Sequence, residues 1–91
     1  MKRVTAVATG KVQGVGYRYY ISECAHSLGL HGSVQNLQDG SVQMVAEGSP
    51  AALDDFIRLV WARENPLIRV DKLLVTEEGA TGEFKGFWVK W

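Results

Sequence analysis

The amino-acid sequence predicts an α+β fold, with two helices on one face of an antiparallel sheet and a short extra strand at the C-terminus. Two segments carry apolar residues at i, i+3, i+4 and i+7, which puts a single apolar stripe on each of two helices. The β-branched and alternating runs around them come in the order β-α-β-β-α-β. At 91 residues the chain has room for about one core of two packed layers. Residues 1–91 are therefore expected to form a single domain.

The elements follow in chain order. Residues 4–9 are β-branched or small and read as a strand. Val4, Ala6 and Ala8 compete with Thr5, Val7 and Thr9 for the buried face, which points to a central strand covered on both sides. Three glycines between residues 10 and 16 make a loop. Ile21, Cys24, Ala25 and Leu28 then form the stripe of a helix over residues 17–28, and Gly29 suits its termination. Residues 30–37 read as a second strand. Asp39-Gly40 signals a tight turn. Residues 41–47 alternate, with Val42, Met44 and Ala46 on one face and Ser41, Gln43 and Glu47 mostly on the other.

Ser49-Pro50 is a helix start, a capping hydroxyl followed by proline at the first helical position. Asp54 and Asp55 are expected near the positive end of that helix dipole. Leu53, Phe56, Ile57 and Val60 form its stripe, and it ends before Asn65-Pro66. Residues 67–77 read as a fourth strand. Its apolar parity changes between Val70 and Leu73, which predicts a bulge. Residues 78–83 are a polar loop. Residues 84–91 make a short final strand with Phe87, Val89 and Trp91 on one face. The whole is the split β-α-β order of ferredoxin-like folds, a frame that hosts many activities and so fixes none.

Ten Lys and Arg balance ten Asp and Glu. A net charge of zero excludes binding to nucleic acid or anionic lipid by bulk electrostatics alone. No nucleic-acid or membrane partner is expected, and any anion must be met by a local site. The lone cysteine, Cys24, makes no internal disulfide. With only His26 and His31 beside it, the chain lacks the ligands for a metal cluster. A reducing, cytoplasmic setting follows, and no metal or cofactor is expected. The apolar start at residues 4–9 is too short for a signal peptide, and no apolar run is long enough to span a bilayer. Both helical stripes face their own sheet, so a monomer is expected.

Chemistry concentrates between Gly10 and Arg18. A strand feeds a glycine-rich loop that feeds a helix. Loop amides can converge there into a concave nest for an anion, at the positive end of the helix. Arg18, in the first turn, adds a permanent cation with a planar fork of donors suited to phosphate oxygens. Gly14 and Gly16 let the backbone approach an anion where a Cβ would obstruct it. The phosphate loop G-x-x-x-x-G-K-S/T is excluded because Lys11 follows the first glycine and not the second. The dinucleotide fingerprint fails because Tyr19 stands where its last glycine belongs.

The string Gly10-Lys11-Val12-Gln13-Gly14-Val15-Gly16-Tyr17-Arg18 resembles the acylphosphatase signature G-R/K-V-Q-G-V-x-F/Y-R. Gly32-Ser33-Val34-Gln35-Asn36, followed by Asp39-Gly40-Ser41-Val42, is similar to the family's G-x-V-x-N-x-x-D-G-x-V, and Pro66 to Val70 to its P-x-x-x-V element. The resemblance covers essentially the whole chain and implies the ferredoxin-like fold. It also implies hydrolysis of the carboxyl-phosphate bond of acyl phosphates to a carboxylate and inorganic phosphate, without metal or covalent intermediate. By the same resemblance, Arg18 binds the phosphate, the loop amides of Gln13, Gly14, Val15, Gly16, Tyr17 and Arg18 cradle it, and Asn36 positions the attacking water. Inorganic phosphate would be both product and competitive inhibitor. The chain departs from many members at Ser33 (often Trp), Tyr17 (often Phe) and Asn65 (often Gly), positions that bear on the rim and packing.

An acyl phosphate has a good leaving group, so positioning and charge stabilisation can carry most of the catalysis. Asn36 is too weak a base to deprotonate water, which leaves a substrate phosphate oxygen to take the proton. The alternative is a non-catalytic module that senses a small anion or acyl phosphate with the same cradle. An RNA-binding sheet is disfavoured because residues 41–45 carry no aromatic.

Among the other residues, Cys24 is expected as a buried hydrophobe and His26 and His31 as solvated or rim histidines. At least two of Tyr17, Tyr19 and Tyr20 should pack at the core edge, although rings beside Arg18 can also stack on an aromatic acyl group. Trp88 and Trp91 face opposite ways, and one is placed to close the open sheet face. Glu77-Glu78 reads as a solvated strand end. If the last strand paired beside the first, the C-terminal carboxylate would reach toward Arg18.

Overall fold

The computed structural model describes residues 1–90; Trp91 and the expectations resting on it lie outside them. Five strands and two helices alternate as β1 (Lys2–Lys11), α1 (Tyr17–Ser27), β2 (His31–Asn36), β3 (Val42–Gly48), α2 (Pro50–Leu59), β4 (Arg69–Gly79) and β5 (Phe87–Lys90). The sheet order is β4-β1-β3-β2-β5. The first four strands form the expected antiparallel sheet. β5 pairs in parallel with β2 and makes the whole sheet mixed.

Both helices lie on one sheet face. Val4, Ala6 and Ala8 of β1 and Val42, Met44 and Ala46 of β3 are buried beneath them. From α1 come Tyr17, Ile21, Cys24 and Ala25, and from α2 Leu53 and Phe56. The expectation that β1 is covered on both faces is corrected, since Thr5, Val7 and Thr9 are only half-buried. The small alanines of β1 lie toward the helices, and its apparent ambiguity came from threonines and a valine on a face without a second layer. Ser49 caps α2, its hydroxyl accepting from the Ala52 amide at 3.2 Å. The first turn of α2 holds no acidic residue. Asp54 and Asp55 sit beyond it, and Asp55 pairs with Arg58. No helix among the described residues is long and apolar enough to cross a membrane.

The predicted bulge is present. Thr9 pairs with Lys72 but Gly10 with Val70, which leaves Asp71 unopposed. The strands approach so closely there that a Cβ at Gly10 would stand 2.2 Å from the Arg69 carbonyl oxygen.

The sheet brings several chain segments to one end. Ala8 of β1 and Asn36 of β2 both pair with Val42 of β3, and Lys90 of β5 pairs with Gln35. The loop leaving β1, the last residue of β2 and the last described residue of β5 therefore share one rim.

At the opposite end, Glu47 lies on the outward parity yet is 4% exposed. The segment after β4 folds back over it. Its carboxylate accepts from the Thr81 amide (2.9 Å), the Thr81 hydroxyl (3.0 Å), the Gly82 amide (3.0 Å) and Arg3 Nε (2.7 Å). Burial opposes ionisation, but the Thr81 amide and the Arg3 guanidinium outweigh it and hold the Glu47 carboxyl at about 2, down from 4.5. A depressed carboxyl stabilises the fold above its unfolded pKa and loses that effect as pH falls through the folded value. The advantage in thermal midpoint of the native protein over Glu47→Gln is therefore expected to be full above about pH 5 and to shrink toward about pH 2. Parallel midpoint curves for the two proteins across that window would refute this.

Candidate functional site

Val12, buried at the end of β1, anchors the start of the glycine loop. Gly14 and Gly16 adopt φ of +73° and +78°, left-handed angles that penalise any residue with a Cβ. A Cβ at either would meet no protein atom within 4 Å, so the backbone angle and not protein crowding demands glycine. Gly16 is also the N-cap of α1 and supplies no side chain to cap it. Helix starts leave their first amides without backbone partners. Among the described residues, nothing accepts from the amides of Gly14, Val15, Gly16 or Tyr17.

Gln13 fixes this loop in place. Its Nε2 donates to the carbonyls of Leu37 (2.8 Å) and Ser41 (2.9 Å) in the β2–β3 turn, which uses both protons of the side-chain amide. The turn is held in turn by Asp39, whose carboxylate accepts from the Ser41 amide at 2.9 Å and from its hydroxyl. Sequence reasoning gave Gln13 only a main-chain role. Its side chain is a second, structural one.

Arg18 is the second residue of α1 and is half-buried. Its Nη1 donates to the Lys90 carbonyl at 3.2 Å. The guanidinium joins Val12, Gly14, Gly16, Tyr17, Tyr19 and Val89 around a hollow of about 290 Å³. Among the described residues, Arg18 is the only charged one in that lining. Larger hollows of about 340 Å³ between α2 and β4 and about 520 Å³ beside Glu47 exist. Neither joins a glycine loop and helix start to a cation.

The three tyrosines divide. Tyr17 and Tyr20 stack with ring centroids 6.4 Å apart, and each hydroxyl donates at 2.6 Å to a carbonyl at the end of α2, Val60 and Leu59 respectively. Burial, reinforced by Tyr20, holds the Tyr17 phenol well above its usual range, so it stays protonated. Tyr19 is 71% exposed at the mouth of the hollow. Two rings pack and one does not, as expected.

Asn36 ends β2 and is exposed. It shares strand parity with the buried Val34 and so projects from the helix-bearing face. It is not in the lining of the hollow. Its neighbour Gln35 pairs with Lys90 of β5, whose carbonyl accepts from Arg18 of α1, so Asn36 ends the strand next to the one that holds the guanidinium, at the same rim. His31 begins β2 at the far end, opposite Glu47. His26 is exposed, but its ring packs edge-on against Phe87, with Nε2 3.3 Å from the Phe87 carbonyl oxygen. Cys24 is buried, as expected, and burial raises its thiol pKa.

The Acylphosphatase family model matches residues 4–89. An acylphosphatase from Methylococcus capsulatus is 48% identical over 90 residues, covering 98% of this chain and 96% of its own. One from Thermococcus kodakarensis is 45% identical, with 98% of each chain covered. The crystal structure of acylphosphatase from Bacillus subtilis superposes with a TM-score of 0.94 at 33% identity, covering 100% of both chains.

Gln13→Ala removes two hydrogen bonds between the loop and the turn. It is expected to destabilise the fold by about 1–2 kcal/mol in urea unfolding and to speed amide exchange at residues 14–17 more than in β3. Exchange at those amides that matches the native rate would show that Gln13 does not hold the loop.

Proposed function

This chain belongs to the acylphosphatase family, and we propose that it hydrolyses acyl phosphates to a carboxylate and inorganic phosphate at the hollow beneath Arg18. The carrying observation is the convergence there of a helix start, uncapped loop amides and one guanidinium.

The phosphoryl group sits at the helix start. Its oxygens accept from the amides of Gln13, Gly14, Val15, Gly16, Tyr17 and Arg18 and from the Arg18 guanidinium. Both donor types favour an anion, and arginine does so without a proton switch. Asn36 orients a water for attack on phosphorus. The new P–O bond forms as the bond to the acyl oxygen breaks, and that electron pair leaves on the carboxylate. A carboxylate is a stable leaving group and needs no acid. A phosphoryl oxygen takes the proton from the water. Two features support this substrate-assisted route. The Tyr17 phenol is bonded to Val60, and His31 lies at the other end of its strand. That leaves positioning and preorganised charge as the means of catalysis.

Free phosphate is a competitive inhibitor in this reading. No metal takes part. Residues 1–91 act as one domain and as a monomer, in the cytoplasm, with no nucleic-acid or membrane partner. The lone buried thiol and balanced charge support that setting.

Benzoyl phosphate should disappear, followed by ultraviolet absorbance, in the presence of a chelator and with inhibition by phosphate. Retained phosphate binding without turnover would leave a sensing module instead. Arg18→Ala is expected to lower kcat/KM by roughly 10²–10³ and to weaken phosphate inhibition. Asn36→Ala is expected to lower kcat by roughly 10² with phosphate inhibition little changed; full turnover in that variant would remove the water-positioning role.

A further inference from the structure

We propose that Tyr19 and Val89 form an apolar wall for the acyl portion of the substrate, so that this chain favours acyl phosphates of aromatic or bulky apolar carboxylic acids over acetyl phosphate. The inference rests on the acyl phosphate reading of the same hollow and adds to it a substrate subclass and the residue that selects it.

Three observations carry it. First, the lining divides by chemistry. Gly14, Gly16 and Arg18 offer amides and a cation, whereas Val12, Tyr19 and Val89 offer mainly carbon. Val12 is buried at the base, which leaves Tyr19 and Val89 toward the mouth. A phosphoryl group held by the cradle directs its bridging oxygen away from the amides, toward those two side chains. Second, the Tyr19 ring takes no part in the packing that engages the other two tyrosines. Tyr17 and Tyr20 stack on each other and bind carbonyls of α2, while Tyr19 is 71% exposed. It follows Arg18 directly on α1, so ring and guanidinium leave the helix about 100° apart and flank the same opening. Third, Arg18 is the only charged residue of the lining among the described residues, and the side chains toward the mouth are apolar or aromatic. A flat apolar acyl group gains contact area against the ring face.

The test compares kcat/KM for benzoyl phosphate and acetyl phosphate in the native protein, Tyr19→Ala and Tyr19→Phe. Taking the ratio of the two substrates within each protein, and then its change on substitution, cancels the intrinsic difference in their reactivity. The benzoyl-to-acetyl ratio is expected to fall roughly 3- to 10-fold in Tyr19→Ala, the size of one lost ring contact, and to hold in Tyr19→Phe. The inhibition constant of inorganic phosphate, measured in each variant, reports whether the cradle is intact. An unchanged ratio in Tyr19→Ala overturns the inference. So does an equal loss on both substrates, which would make Tyr19 a support of the helix start. A fall in Tyr19→Phe as large as in Tyr19→Ala also overturns it, because the hydroxyl and not the ring face would then discriminate. In those three cases hydrolysis itself stands. If the native protein cleaves neither substrate, the proposed function fails and the inference fails with it.

Discussion

The site depends on a short stretch of backbone that cannot satisfy its own hydrogen bonds. Two left-handed glycines carry the chain from β1 into α1, and the second of them leaves the helix start without a side-chain cap. Isolated, such a loop would sample many conformations, because glycine has the most freedom to lose. The fold removes that freedom from three directions. Val12 is buried in the core, the Gln13 side chain is bound to the β2–β3 turn, and the Tyr17 hydroxyl is bound to the end of α2. The loop is held by its flanks, and the amides of Gly14 to Tyr17 have no acceptor among the described residues.

The same division runs through the rest of the molecule. One sheet face and two helices provide a dry core built largely from small and β-branched residues. At one end of the sheet, main-chain donors meet the half-buried guanidinium of Arg18. At the other, the Glu47 carboxylate is surrounded by four donors and closes the returning segment onto the sheet. Both ends concentrate charge, but only the first leaves main-chain amides, those of Gly14 to Tyr17, without acceptors among the described residues. An anionic ligand suits that end, whereas the buried carboxylate at the other is already satisfied by its own chain.

Much of this was legible in the residue pattern because it is local. Helical stripes, the Ser49-Pro50 cap, the turn at Asp39-Gly40 and the bulge near Asp71 are all set by neighbours a few positions away. The glycine string and Arg18 were legible for the same reason. What the pattern did not carry is pairing across long separations. Glu47 has the parity of a solvated residue, and nothing near it in sequence says that Thr81 and Gly82 will cover it. Gln13 bonds to a turn that lies beyond a helix and a strand. The limits of β4 were placed two residues early at each end, since its exposed face gives alternation little to register. Asn36 sits at the expected end of the sheet, on an internal strand, yet outside the lining of the hollow around Arg18.

The parallel pairing of β5 with β2 has a consequence for the order of assembly. Parallel neighbours distant in sequence are costly to close and tend to form late, and here Gly32 meets Phe87. A carbonyl that accepts from the Arg18 fork belongs to Lys90, on that strand. A chain that has collapsed its helices onto the first four strands would have its cradle but not yet this tether on the arginine. Docking of the terminal ribbon would then join completion of the architecture to arming of the pocket.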